Sequence, residues 1–567
     1  MINTVRNAVD GEIKFYNPKE ELIKKHQVPN YHSYLKPGDY HFINDSVMLA
    51  AAIFSCGYEK YYDMAKAMLN KAVSLQCKEG EISGLWSYYL EEALDEMVEP
   101  DWNYADFNAY PLLYILKEHG DKLGNTLYKN IADACVLACE SMIRRNLDVG
   151  YTNPAVMNIY CTVACGQILG IEKLLEYGRE KLQRFHTYIM NMGTYDEYNC
   201  PGYNILIINL YSIMLRHFED ENMIAQTHDL NRLAWTMLGE HYHFEIGEFS
   251  GPNFRQYENF WSKESNVNDL LIGDFVQKRG RDPRLLRLVY KTECPDDIKR
   301  LFLQENKSCD FRRIIPVGKL PKVDTQHIRP RYTLGSVSML DGWNQRRNVV
   351  SYIGNKDKKV CIRLRAYHDG YDFSSAYILT AQEASTAISL TNFLTNAGDT
   401  HITLDMVKNA TIKATDLSVV YQIEANCDGI IDEIKVEKTE NGCNLEIIGV
   451  PVEITFPFME ITGYEPRVEI SSNDKEMLVS AALYLGEETE INLSELDSLA
   501  VVSVLSVGEK EIGIPQIEKD NNILSTKIYA NGKLLNVKGT YKPMKGKEAS
   551  QFYEVLVDGI DIDKTVN

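Results

Sequence analysis

Apolar positions recur at helical spacing through the first part of the chain. Helix-length patterns occupy 43–56, 59–76, 104–119, 126–145, 154–169, 171–191, 203–218 and 222–243, with breaks at Gly57, Gly120, Gly150 and Gly170. The pieces are alike in length and joined by short turns, as in stacked antiparallel helix pairs. No strict period links them, which separates the pattern from TPR or HEAT arrays. Residues 1–320 are expected to be almost wholly helical, a closed (α/α) toroid of hairpins with its loops gathered at one end.

Between Pro316 and Asp324 the pattern changes. Thr333-Leu-Gly-Ser-Val-Ser-Met, Val349-Val-Ser-Tyr-Ile, Val360-Cys-Ile-Arg-Leu-Arg and Ala387-Ile-Ser-Leu are short strand-like runs. So are Asn444-Leu-Glu-Ile-Ile, Val452-Glu-Ile-Thr-Phe, Met477-Leu-Val-Ser-Ala-Ala-Leu-Tyr and Ala500-Val-Val-Ser-Val-Leu-Ser-Val. Asn-Gly at 441 and 531, and Asp-Gly at 341, 369, 428 and 558, supply turn chemistry between runs. No strong helical pattern intervenes. The reading is an antiparallel β-sandwich over 325–510 and a small β region over 511–567.

Composition narrows the function. With 567 residues the chain exceeds one core and suggests two or three domains. The balance of 60 basic and 80 acidic residues, a net charge of −20, argues against a nucleic-acid or anionic-membrane partner. A few local arginines can still dominate one cleft. The first residues have no apolar signal core, and no stretch is long enough to span a bilayer, so a cytoplasmic location is expected. Twelve scattered cysteines include Cys135/Cys139 and Cys161/Cys165 at helical spacing in apolar runs, the pattern of buried free thiols. The chain carries 35 tyrosines, and a phenol couples an aromatic face to a hydrogen-bonding group, which suits sugar binding. A homo-oligomer is compatible with this composition.

The stretch from Tyr195 to Tyr211 stands out. It packs Asp196, Glu197, Tyr198, Asn199 and Tyr203 around Pro201-Gly202, then continues as a buried apolar helix. Asn199 as cap with Pro201 in the first turn is an ordinary helix start. Glu197, Tyr198 and Tyr203 are not accounted for by that role. A polar, phenolic loop delivered by a buried helix is how a scaffold presents a site.

Further segments share this character: Asp101-Trp-Asn-Tyr-Ala-Asp-Phe, Glu197-Tyr-Asn-Cys-Pro-Gly-Tyr, Ser250-Gly-Pro-Asn-Phe-Arg-Gln-Tyr, Tyr332-Thr-Leu-Gly-Ser-Val-Ser and Trp343-Asn-Gln-Arg-Arg. On these, and on the order of helical ring then sandwich, the chain resembles polysaccharide lyases of the heparinase II/III and chondroitin lyase type. The resemblance spans nearly the whole chain as architecture and only these segments as motif.

It implies β-elimination on a uronic-acid glycan. A base takes the C5 proton, an acid protonates the leaving oxygen, and donors meet the charge developing on the carboxylate. By the resemblance Tyr203 is the first choice for proton transfer and Tyr257 the second. Asn199 would neutralise the carboxylate, with Asn103 and Asn153 as further amides. Arg255, two residues from Tyr257, would orient substrate or favour a phenolate. The better-known chondroitin lyases place a histidine several residues ahead of their tyrosine. Here Asn199 stands four ahead of Tyr203, and His41 is the imidazole candidate from another loop. Trp102, Asp106, Glu197, Trp343, Asn344 and Arg346 complete the expected substrate contacts.

Arg329/Arg331 and Arg363/Arg365 alternate on presumed strands, either as a basic wall or as a solvated sheet face. His241-x-His243 has metal spacing without an evident third ligand, so no cofactor is expected. The expected partner is an acidic oligosaccharide or polysaccharide. Two other readings remain open: a glycoside hydrolase using carboxylates among Asp106, Glu197 and Glu248, and a non-catalytic glycan-binding protein.

Overall fold

Two kinds of helix fill the first part of the chain, and burial separates them. In Ile43–Ser55 and Thr152–Leu169 nearly every residue is buried, whereas Glu172–Met192 buries one stripe, including Leu174, Leu182, Phe185 and Ile189. A helix apolar all round belongs inside, and an amphipathic one belongs outside. Ile43–Ser55, Asn103–His119 and Thr152–Leu169 accordingly pack beside one another as an inner row. Tyr62–Ser74, Asn125–Arg145 and Glu172–Met192 pair with them as the outer row. A side chain at Gly178 would run into Val163 and Thr162, so that glycine lets two paired helices approach closely. Pro201–His217 and Glu221–His241 continue the series.

The computed structural model describes residues 2–261, 271, 287–316, 321–557 and 560–561. Contacts divide the chain into two units: Met1–Glu197, Gly202–Met237 and Glu264–Lys299 form the first, and Tyr198–Pro201, Leu238–Lys263 and Arg300–Asn567 the second. The first unit departs from an all-helical reading. Tyr16–Asn17, Leu22–Gln27 and Gly38–Phe42 form a three-stranded antiparallel sheet, tied to the first inner helix where Ile23 N donates to Ser46 Oγ at 2.9 Å. The four cysteines at helical spacing are buried free thiols. Among the described residues no helix is long and apolar enough to cross a membrane.

The second unit is built of antiparallel sheets. A nine-stranded sheet runs in the order Arg467–Ser472, Glu476–Asn492, Thr411–Ala425, Lys359–His368, Val349–Gly354, Tyr332–Val337, Lys322–Arg329 and Cys309–Ile315, with Tyr371–Asp372 paired beside Lys359–His368. It starts at Cys309, ahead of the change in sequence pattern. A seven-stranded sheet centred on Leu499–Val507 and Thr386–Phe393 faces it across a core containing Leu334, Ile362, Tyr421, Phe393 and Val501. The other face of that second sheet is also covered. Leu379, Leu390 and Val502 pack against Leu524, Leu535 and Val537 of a five-stranded sheet beginning at Gln516. Burial on both faces explains why Leu499–Val507 is buried at every position and apolar at all but Ser503 and Ser506.

The fold class is therefore the expected one, helical hairpins followed by an antiparallel sandwich. Asn531-Gly532, with φ of 50° and 79°, makes the two-residue turn joining Ile523–Ala530 to Lys533–Thr540. Asp369-Gly370 does the same after Lys359–His368. The predicted turn at Asp558-Gly559, and position 320 where the helical part was expected to end, lie outside the described residues.

Candidate functional site

In the second unit the site is assembled around residues 198–201. Asn199 adopts a left-handed φ of 43°, and its side chain is fully buried. Asn199 Nδ2 donates to Ser250 O at 2.7 Å and to Pro252 O at 2.8 Å. Asn253 Nδ2 returns a bond to Asn199 O at 2.6 Å, and Phe254 N donates to Tyr198 O at 3.1 Å. Both amide hydrogens of Asn199 are thus spent on main chain, and the residue acts as a clamp for the 250–254 segment.

Tyr198 points the other way, into a closed network. Its hydroxyl donates to Asp324 Oδ2 at 2.5 Å and lies 3.1 Å from His241 Nε2, which is itself 3.2 Å from the same carboxylate oxygen. Gln326 Nε2 donates to Asp324 Oδ1 at 2.7 Å. Burial, reinforced by Asp324, pushes the Tyr198 phenol well above its ordinary range. The three side chains are fully buried, which makes them a structural knot. Asp324 stands more than a hundred positions from Tyr198, so spacing carried no signal for this pairing.

The clamped segment leads to the surface. Asn253 and Arg347 exchange backbone bonds of 3.2 and 2.9 Å, and Gln256 N donates to Gln345 O at 2.8 Å. This short ladder lays residues 253–257 along the turn 343–347. Arg255 Nε donates to Gln345 Oε1 at 3.0 Å, and its guanidinium carbon lies 5.6 Å from the centre of the Trp343 ring. The Arg346 guanidinium carbon lies 5.4 Å from that ring, held by Asp341 at 3.2 Å and by Phe254 O. His401 meets the same ring edge-on at 4.9 Å. Asn344 Nδ2 donates to Tyr371 OH at 2.5 Å. Tyr257, at the end of the ladder, is 44% exposed, and Tyr371, bonded to Asn344 of the turn, is 40% exposed, while Trp343 itself is buried. His401 and Tyr371 come from distant strands and loops, and only the sheet brings them here.

The first unit holds the remaining candidates. Asn103 Oδ1 accepts from Arg145 Nη1 at 2.8 Å, and Asn103 Nδ2 lies 3.4 Å from Tyr151 OH. Asn153 Nδ2 binds both Glu197 oxygens, at 2.7 and 2.8 Å, and its backbone N–H adds a bond of 2.9 Å. Trp102 is half-buried at the start of Asn103–His119, and Tyr203 is half-buried in the first turn of Pro201–His217. His41 is buried with both ring nitrogens engaged: Nδ1 lies 2.5 Å from Glu91, and Nε2 lies 2.8 Å from Asn17 Nδ2. Because the Asn17 amide donates, Nε2 accepts and Nδ1 carries the proton toward Glu91.

Asp106 is buried, with Oδ1 lacking a partner. Burial lifts its pKa to about 7 against the pull of Arg145 and Lys181. Burial also brings Lys181 down to about 8. Glu248, in the second unit, is buried against Lys359 at 2.6 Å and accepts from Trp261 N at 2.7 Å.

Burial also decides the partners of the histidine and arginine pairs. His243 Nδ1 accepts from Ile246 N and its Nε2 faces Arg329 O, so the His241-x-His243 pair is occupied by protein groups. Arg363 and Arg365 form neither a basic wall nor a solvated face: Arg363 is buried, and Arg365 is bound by Asp372. Arg329 pairs with Asp310, and Arg331 Nη2 donates to Ile448 O.

Comparison with known proteins adds the following. Residues 45–287 match a family described as a domain of unknown function (DUF8769). No curated protein matches the chain. Among solved structures, the chondroitin AC lyase of Streptomyces coelicolor A3, in complex with chondroitin sulphate, is similar with a TM-score of 0.42 and 9% identity. That match covers 95% of this chain and 87% of the lyase.

Proposed function

We propose that this chain is a carbohydrate-active enzyme that cleaves a uronic-acid-containing oligosaccharide or polysaccharide by β-elimination. The observation that carries the reading is the pair of guanidiniums, Arg255 and Arg346, fixed over Trp343, with the exposed Tyr257 two residues along the chain from Arg255. On a chain of net charge −20, two guanidiniums brought to one place, one of them paired with Asp341, offer an acidic ligand a local point of attachment. Guanidinium also matches carboxylate geometry better than ammonium does.

Elimination needs the substrate carboxylate held so that charge can spread onto it when the C5 proton leaves. Arg255 and Arg346 would supply that hold, and Asn344 and Tyr371 would meet sugar hydroxyls. A phenol with a pKa of about 10 is a poor base at neutrality, and a nearby guanidinium favours its ionised form. Tyr257 would be the proton carrier within this segment, with Tyr203 as the other phenol to be tested. Asn199 contributes through position, by anchoring the segment that bears Arg255 and Tyr257.

The hydrolase reading draws on Asp106, Glu197 and Glu248. All three are buried, and Glu197 and Glu248 are engaged by protein partners.

The test is incubation of the purified chain with uronic-acid oligosaccharides, following the ultraviolet absorbance of the unsaturated product. Elimination creates a conjugated double bond and hydrolysis does not. Reducing ends that appear without that absorbance would overturn the proposal in favour of hydrolysis. Saturable binding with no product at all would leave a glycan-binding protein.

A further inference from the structure

Below the Trp343 turn lies a second concentration of positive charge that the proposed reaction does not use. Arg347 is 1% exposed and Arg363 is 4% exposed. Their side chains share the same two acceptors. Arg347 Nη1 donates to Asn344 O at 2.9 Å and to Arg346 O at 3.2 Å, and Arg363 Nη2 donates to those oxygens at 2.8 and 3.1 Å. Arg347 Nη2 also binds Tyr257 O at 3.2 Å.

Arg365 joins them from the same strand as Arg363. Asp372 is the carboxylate that faces the group, paired with Arg365 and 3.5 Å from Arg363. Glu476 reaches Arg365 through Gln422, which accepts from Arg365 at 2.8 Å and donates to Glu476 at 2.7 Å. Among the described residues Asp372 is the carboxylate in direct ionic contact with these guanidiniums, and Arg347 and Arg363 lie too deep for water to solvate them. Such a surplus of positive charge is costly unless a counter-charge meets it. Burial first, and the neighbouring guanidiniums next, lower the pKa of both Arg347 and Arg363.

Unfilled hydrogen bonds point the same way. Among the described residues, Arg363 Nε, Gln345 Nε2 and Trp343 Nε1 are buried donors without an acceptor. Gln345 is oriented by its Oε1, which accepts from Arg255, so its amide hydrogens are the unspent end. These donors belong to this turn or to the arginine beneath it, and they outnumber the turn's one unpartnered acceptor, Asn344 Oδ1. Buried donors left unpaired are rare and call for a missing acceptor.

We propose that a small anion, a halide or a carboxylate group, binds beneath the Trp343–Arg347 turn against Arg347, Arg363 and the Gln345 amide. The anion neutralises the buried surplus and fixes the turn that carries Arg346. Its source is either free inorganic anion or the carboxylate of an acidic sugar, and the chemistry that recognises it is the same. The site stands independently of whether the chain eliminates or merely binds glycan.

The test uses the full chain. Thermal unfolding is followed as sodium bromide replaces sodium methanesulfonate at constant ionic strength, and crystals soaked in bromide are measured for anomalous scattering. A ligand that binds only the folded state raises the unfolding midpoint, so a saturable rise of about 2 °C or more is expected. A bromide peak is expected against Arg363 and Gln345, and Arg363→Met should abolish the bromide dependence. If Arg363→Met does not fold, the peak in the unaltered chain decides. A midpoint indifferent to the anion, absence of the peak, or a dependence that survives Arg363→Met overturns the site.

Galacturonate separates the two sources. If it suppresses the bromide effect, the sugar carboxylate takes the site. If the effect persists on top of saturating galacturonate, the occupant is inorganic. Product absorbance is read separately, so the anion site and the lyase reading can each fail while the other stands.

Discussion

Asn199 and Asn253 hold each other's main chain: Asn253 Nδ2 donates to Asn199 O, and Asn199 Nδ2 donates to the carbonyl of Pro252, the residue before Asn253. The pair locks residues 198–201 to the 250–257 segment before that segment reaches the surface at Tyr257. Gly335 completes the lock from the sheet, because a side chain there would overlap Gly251 O.

Replacing Asn199 should therefore act on stability first. Asn199→Ala strands the Ser250 and Pro252 carbonyls in a buried place and puts alanine at a left-handed φ. The expected loss is roughly 2–5 kcal/mol, read from the denaturant midpoint. A variant of unchanged stability that lost turnover would instead give Asn199 the direct carboxylate role.

The two phenols can be told apart by removing one hydroxyl at a time. Tyr257→Phe and Tyr203→Phe each keep the ring. The one that transfers the proton should lose roughly two to four orders of magnitude in kcat with little change in binding. The other should stay near normal. If both retain turnover, the proton is carried by neither.

Arg346→Lys keeps the charge but loses the planar group over Trp343 and the fork that binds Asp341 and Phe254 O. Affinity for an acidic oligosaccharide should fall by roughly tenfold, and the remaining binding should weaken further with salt. Binding titrations at two ionic strengths measure this. A neutral oligosaccharide should not discriminate between variant and parent.

Asp106 predicts a pH dependence in the helical unit. Its folded pKa of about 7 lies above the ordinary 3.8, so the folded state holds the proton more tightly than the unfolded chain. Its contribution is fully present below the ordinary value and is lost as pH rises to about 7, on the order of a few kcal/mol. Lys181 has the opposite sign: depressed to about 8 from 10.5, its contribution is lost as pH falls between those values. Asp106→Asn should flatten the acid-side slope of unfolding free energy. An unchanged slope would place the titration elsewhere.

Much of the architecture was legible because burial writes itself into local periodicity. The helices Ile43–Ser55 through Glu221–His241 fall within a few residues of their apolar patterns, and Asn531-Gly532 turns where its two residues allow. The strand Thr411–Ala425 escaped notice although it is central to its sheet. Register shifts between Ala414 and Asp416, and again between Leu417 and Ser418, break the alternation that would have announced it. Leu22–Gln27 escaped for another reason: its apolar signal is two residues long, and an inner helix supplies the rest of its support.

By itself the sequence determined the order of helical hairpins and sheets, the turns, and the short list of polar, phenolic and basic segments. Tertiary structure decided which members of that list face solvent and which face one another. Asn199 and Glu197 look like site residues in the chain and are spent on internal bonds, while Arg347 and Arg363 acquire their meaning from sharing two carbonyl oxygens. Periodicity reports burial along one element. Which distant partner, or missing anion, satisfies a buried polar group depends on elements that are remote in the chain.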